Sequence, residues 1–481
     1  MKHLQFGFRQ KKFFSFILFS IILTSNFSQI LSLSTIDLKI STAEYKREYL
    51  QSLKFMQKML LNPVLSSFLE DKEISLHQQV LAQKRLATYY GELEVGVNAD
   101  GTSQKFKMLF DTGSCEFWIP SHKCFNERCL SHTRYRPSTS LESYNQVRMD
   151  IQYLSGHVSG EMVKETIFLG GLEIKNQVIG LAEQIDIPLM NEVIWDGILG
   201  LAYPNRNLRN KRISPIIDSI INQDLLHKRG EKNQFAYYLG LNNGAITFGG
   251  ADMKYKKDMN EEFKWAPIAE KNYWTITLLD IRKYKPNYQE SENDIVGNVL
   301  CPNGCKTIVD TGTYLIYGPS EQVRTFLSDM KLDKCEDKKN LPTLGLIFKG
   351  YSVNGKDSAF ELLLTPNDYV LEFESDGITD CVVGLGSDSE DSGWTLGQVF
   401  LKAYYTVFDR ETEGVGFAKS NPEPGMIIEK NSEDTSNSVV IDDNDNDFIS
   451  GILHNGPLNL QKEISFSDGK KQFSSFLKVE E

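Results

Sequence analysis

Basic residues are in deficit in this chain of 481 residues: 52 Lys and Arg face 64 Asp and Glu, a net charge of −12. Phosphate backbones are held by clustered Lys and Arg, so the deficit excludes nucleic acid as the main partner. Long apolar runs are also scarce. The one near the N-terminus, residues 13–24, is shorter than the about 20 residues of a membrane-spanning helix. Cysteine is sparse and odd in number, with seven, so at least one thiol has no partner within the chain. The closely spaced cysteines lack a second Cys pair or a His at ligand spacing, which argues against zinc; no metal or cofactor is expected. The remainder is ordinary. Hydrophobic residues at 41% and charged residues at 24% describe a globular protein, long enough for about two to four domains.

Lys2, Arg9, Lys11 and Lys12 precede the apolar run and Ser25-Asn26 follow it, the layout of a secretory signal peptide. An uncleaved signal anchor is the alternative, because Ile30, Leu31 and Leu33 extend the apolarity. The protein is therefore expected in the secretory pathway, secreted or in a lumenal or vesicular compartment, where cysteines can oxidise. Residues 35–84 read as helical, with Leu50, Leu53, Met56, Met59 and Leu60 at helical spacing. From Tyr89 to Lys419 short alternating segments bounded by Gly, Asn and Asp read as all-β, interrupted by one helical stretch over 214–226. Residues 429–447 hold an acidic cluster, Asp442, Asp443, Asp445 and Asp447, and read as a disordered tail.

The β-rich body carries an internal repeat. Met108-Leu109-Phe110-Asp111-Thr112-Gly113-Ser114 is matched by Thr307-Ile308-Val309-Asp310-Thr311-Gly312-Thr313. Ile198-Leu199-Gly200 follows the first copy and Thr395-Leu396-Gly397 the second, so two similar halves are expected. In each copy an apolar strand delivers a carboxylate onto a tight turn, where Gly permits close approach and a hydroxyl residue can donate to the Asp. A lone Asp-Thr-Gly is a common turn; two in the same setting are not. Brought together, Asp111 and Asp310 would share one proton, since like charges that close cannot both ionise. Such a pair suits general acid–base hydrolysis of a peptide bond through an activated water.

These motifs resemble the pepsin family of aspartic endopeptidases over about two thirds of the chain, residues 89–419. Residues 110–118 (FDTGSCEFW) resemble its first active-site segment, and 308–313 its second. Residues 151–156 are similar to its flap hairpin, 196–204 (DGILGLAYP) to its central stretch and 404–410 to its C-terminal strand. The resemblance implies an all-β, bilobal fold with one Asp from each lobe at the cleft. It implies Tyr153 and Ser155 in the flap, Trp118 hydrogen-bonded to Tyr153, Ser114 and Thr313 supporting the carboxylates, and Gly113 and Gly312 lining the cleft. It also implies the bridges Cys124–Cys129, Cys301–Cys305 and Cys335–Cys381, leaving Cys115 as a buried free thiol.

The chain departs from the family pattern at Leu154 after the flap tyrosine, at Tyr314, and at Gln398, where many relatives carry Asp. Leu154 implies a stiffer flap and Tyr314 narrower subsites, while Gln398 bears on the acidity of the cleft. Arg206, Arg209, Lys211 and Arg212 read as a basic, solvated loop. The resemblance further implies a zymogen of the plasmepsin-like branch: residues 1–30 signal, 31–84 propeptide, 85–260 and 261–420 the two lobes, and 421–481 the acidic extension. Lys84 and Arg85 are its candidate contacts to the carboxylates. The implied partners are protein or peptide substrates, the protein's own propeptide and pepstatin-type inhibitors, acting on a monomer. A catalytically dead peptide-binding relative and a glycan-binding or structural protein on the same fold are the rival classes; both Asp residues and Tyr153 are intact, which opposes the first.

Overall fold

The computed structural model describes residues 33–41, Leu53, Lys54, Gln57, Lys58, Leu60, Leu61 and 88–422, apart from 154–155, 241–242, 287, 289–294, 329, 355, 376–377, 390 and 391. The signal segment, Leu154, Ser155, Lys84, Arg85 and the acidic extension beyond residue 422 lie outside the described residues.

The all-β, bilobal expectation is met. A 13-stranded sheet and an 8-stranded sheet carry the body, with a separate hairpin of Val370–Ser375 and Ile378–Val383. The larger sheet begins with six strands drawn from distant parts of the chain: Lys264–Pro267, Gly414–Lys419, Tyr404–Asp409, Gln234–Leu239, Gly244–Phe248 and Ser34–Ser41. It then continues through the N-terminal half, from Thr88–Val95 to the flap strands Glu142–Tyr153 and Gly156–Leu169. The smaller sheet is built from the C-terminal half, around Trp274–Tyr284 and Ile295–Val309.

Each half contains the same crossing. In the first, Gln104–Asp111 runs parallel to Gly197–Gly200, with Asp111 opposite Gly200. In the second, Ile295–Val309 runs parallel to Trp394–Leu396, with Val309 opposite Leu396. The first strand alternates between exposed and buried and then becomes wholly buried over Met108, Leu109, Phe110 and Asp111, where both of its faces are covered. The repeated Gly after each apolar pair is a packing requirement. A Cβ on Gly200 would sit 2.5 Å from the Cys115 carbonyl carbon, and one on Gly397 2.5 Å from the Thr313 oxygen.

The helical reading of 35–84 is corrected at its start. Ser34–Ser41 is a strand, paired on one side with Gly244–Phe248 and on the other with Thr88–Val95. Ile36 and Leu38 are buried between exposed or half-buried neighbours, a two-residue period that the long helical window averaged away. The described residues between 53 and 61 are helical, with Leu53 and Leu60 each 1% exposed. The helical stretch over 214–226 condenses to a helix at Ile216–Asn222, buried through Ile216, Ile217 and Ile220.

Aromatic rings join the halves behind the crossing loops. Phe235 stacks on Phe408 at 4.8 Å, and Trp274 meets Phe408 at 5.0 Å and Tyr203 at 4.9 Å. The Trp274 indole N–H donates to the Leu201 carbonyl at 3.0 Å. Phe408 is fully buried in this cluster. Phe408→Ala should therefore destabilise the protein by about 3–5 kcal/mol, read as a lower denaturant midpoint in equilibrium unfolding.

Candidate active site

The two Asp-Thr-Gly turns meet face to face and hold each other through their threonines. The Thr112 amide donates to Thr311 Oγ1 at 3.0 Å and the Thr311 amide to Thr112 Oγ1 at 2.9 Å. Each hydroxyl then donates across the pseudo-twofold, Thr112 to the Val309 carbonyl and Thr311 to the Phe110 carbonyl, both at 2.8 Å. Thr112 and Thr311 are 0% and 2% exposed. Buried hydroxyls so fully paired form a rigid cross-link.

The cross-link brings Asp111 and Asp310 together, each carboxylate held the same way. Gly113 N donates to Asp111 Oδ1 and Gly312 N to Asp310 Oδ1, both at 2.8 Å. Ser114 Oγ donates to Asp111 Oδ2 at 2.5 Å, and Thr313 Oγ1 to Asp310 Oδ2 at 2.6 Å. The glycines are needed because the opposite carboxylate passes so near. A Cβ on Gly113 would lie 2.5 Å from Asp310 Cγ, and one on Gly312 would collide with Asp111 Oδ1. Burial raises the pKa of Asp111 well above the carboxylate range and the Asp310 charge raises it further, against the opposing pull of the Ser114 and Gly113 hydrogen bonds.

Of the other expected site residues, Trp118 donates its indole N–H to the Tyr153 hydroxyl at 3.0 Å, at the end of the strand Glu142–Tyr153. Burial and then the Glu116 charge push the Tyr153 phenol up, keeping it protonated. The cysteines join as Cys124–Cys129, Cys301–Cys305 and Cys335–Cys381, and Cys115 is free and buried. Burial raises the Cys115 thiol, so it packs as an apolar residue rather than as a nucleophile. Among the described residues no group of His, Cys, Asp or Glu is arranged to hold a metal ion.

Two departures and the basic segment find physical places. Gln398 is 2% exposed and donates to the Thr311 carbonyl at 3.2 Å, so it supports the cross-link; its Oε1 has no partner. The Tyr314 ring packs on the core beneath the Lys402 ammonium, 5.0 Å away. The basic segment is a helix, Arg206–Lys211, rather than a loop, because the Asn205 side chain caps it and Leu208 anchors it in the core. The reading of the sequence passed over Thr112 and Thr311 as site residues. Their signal was present, since Thr is the middle residue of both repeats.

With this geometry in place, comparison with known proteins identifies the family. Residues 88–420 match the family model for eukaryotic aspartyl proteases. Plasmepsin VII of Plasmodium berghei (strain Anka) is 37% identical over 363 residues, covering 72% of this chain and 76% of that protein. Cathepsin D of Gallus gallus is 34% identical over 364 residues, covering 71% and 83%. The chain belongs to the eukaryotic aspartyl protease family and is an aspartic endopeptidase.

The raised pKa of Asp111 has a consequence for stability. Its contribution is fully present below the ordinary carboxylate value of about 3.9 and is lost as pH rises toward the raised folded value. Wild type should thus lose thermal stability relative to Asp111→Asn as pH rises from about 4 toward neutrality, a difference read by calorimetry across that range. A constant difference would contradict the buried-pair electrostatics.

Proposed function

We propose that Asp111 and Asp310 are the catalytic pair of this endopeptidase, acting on protein or peptide substrates. The observation that carries the reading is the matched seating of two carboxylates on one cross-linked pair of turns. The pair holds one proton. Its ionised member takes a proton from water as the oxygen attacks the scissile carbonyl, and its protonated member donates to the carbonyl oxygen. The resulting gem-diol collapses as the carboxyl that took the water proton passes it to the leaving amine, a diol hydroxyl returns its proton to the other carboxylate, and the C–N bond breaks. Tyr153, anchored to Trp118, closes the cleft and excludes bulk water.

The chain is synthesised as a secretory zymogen, with 31–84 as its propeptide and three disulfides compatible with an oxidising lumen. Supporting this, Lys54 pairs with Asp380 at 2.8 Å, and Gln57 Nε2 donates to the Val383 and Leu385 carbonyls, both at 2.8 Å. Arg324 donates to the Leu60 carbonyl at 3.1 Å. The described residues of this segment lie against the body through the strand Ser34–Ser41 and through helical residues between 53 and 61. The mature protein works as a monomer and is inhibited by pepstatin-type compounds.

Asp111→Asn and Asp310→Asn should each lower kcat by about four orders of magnitude or more while circular dichroism stays native. Comparable turnover by either folded variant would falsify the mechanism. Gln57→Ala removes two hydrogen bonds at the attachment and should speed conversion of the zymogen, followed by gel electrophoresis after a shift to acid.

A further inference from the structure

Tyr237 lies in the strand Gln234–Leu239, in the six-strand group that opens the larger sheet, and is 1% exposed. Alternation puts Phe235, Tyr237 and Leu239 on the inner face of that strand and Ala236 and Tyr238 on the outer. The two inner neighbours are apolar, and a phenylalanine between them would fill nearly the same volume. A buried hydroxyl costs desolvation and regains about as much from one hydrogen bond, so stability gives no reason for it. The hydroxyl is aimed instead at the catalytic turns, donating to the Phe110 carbonyl at 3.2 Å. Burial and then the Asp111 charge push the phenol up, against the pull of Thr311 and with a further push from Tyr89, so it stays protonated and donates.

The Phe110 carbonyl belongs to the peptide group that carries the Asp111 nitrogen. It also accepts from Thr311 Oγ1 at 2.8 Å, so two hydroxyls meet it from different elements, one across the pseudo-twofold and one from the sheet. One donor leaves a peptide free to pivot about that bond; a second fixes its plane. The second turn is held differently. The Val309 carbonyl, its counterpart beneath Asp310, accepts from Thr112 Oγ1 at 2.8 Å. Thr406, which stands opposite Tyr237 in the sheet, turns its hydroxyl to the Tyr404 carbonyl.

We propose that Tyr237 is a positioning residue for the dyad: its hydroxyl fixes the Phe110–Asp111 peptide from the sheet side and so keeps Asp111 close enough to Asp310 to share its proton. The proposal rests on the reading of Asp111 and Asp310 as the catalytic pair. A carboxylate displaced by a fraction of an ångström loses rate without losing affinity for substrate, because the misfit is felt at the reacting atoms. The sharing of the proton changes as well. Proximity disfavours the doubly ionised pair, so a wider separation lets the second proton leave at lower pH.

The test is Tyr237→Phe, which deletes one oxygen and leaves the Phe110 carbonyl its bond from Thr311. Tyr238→Phe is the matched control, since its hydroxyl donates to the Asn421 carbonyl on the outer face of the same strand. Both are made in the full-length protein from a secretory host and assayed with a quenched fluorescent peptide across the acid range. Tyr237→Phe should lower kcat about tenfold at unchanged KM and move the alkaline limb of kcat/KM down by about half a pH unit. Its circular dichroism should stay native, and Tyr238→Phe should keep both kcat and the limb. A wild-type kcat and limb in Tyr237→Phe overturns the proposal. So does a loss of rate with an unmoved limb, or an equal loss in Tyr238→Phe, since either marks a general structural effect. Asp111→Asn separates this from the dyad reading. Turnover by that variant overturns the dyad, whereas an inactive Asp111→Asn beside an unaltered Tyr237→Phe overturns the role of Tyr237 alone.

Discussion

Two carboxylates held side by side, Asp111 buried and Asp310 half-buried, repel each other and lose hydration, and the residues around them are arranged to hold them there regardless. The reciprocal Thr112–Thr311 bonds are the device. They use backbone amides and hydroxyls that are buried in any case, so the contact leaves no donor unpaired while fixing the two turns to one another. The carboxylates follow because each is tied to its own turn by one amide and one hydroxyl.

The wider architecture transmits that constraint. The first turn ends a strand covered on both faces, and each turn's strand runs beside a short apolar strand that ends in or is followed by Gly. Behind the turns, the Tyr237 hydroxyl donates to the Phe110 carbonyl at 3.2 Å and Trp274 to the Leu201 carbonyl. A displacement of either half would break these contacts together. Gln398 extends the support on one side only, and its neutral amide stands against Thr311 where a carboxylate would add a further buried charge.

Much of the site was legible because it is local and repeated. Asp-Thr-Gly with its flanking apolar strand and following hydroxyl residue is contained in seven consecutive residues, twice. The disulfide pairing and the Trp118–Tyr153 bond came from resemblance to the family; nothing in residue spacing alone selects them. The strand Ser34–Ser41 was misread because its period is short and its partners, Gly244–Phe248 and Thr88–Val95, lie far away in sequence. The basic segment was misread because Asn205 and Leu208, two residues among many charges, decide between loop and helix.

By itself the sequence determined the class of protein and the two carboxylates of its candidate site, since an Asp on a Gly turn depends on residues adjacent in the chain. It also determined the all-β body, through alternation and turn residues that act over a few positions. Only the tertiary structure decided that the threonines lock the two turns, that residues 34–41 complete a sheet, and that Gln398 braces the Thr311 carbonyl. Those features join residues tens to hundreds of positions apart. Their energies depend on burial and distance, which no local pattern carries.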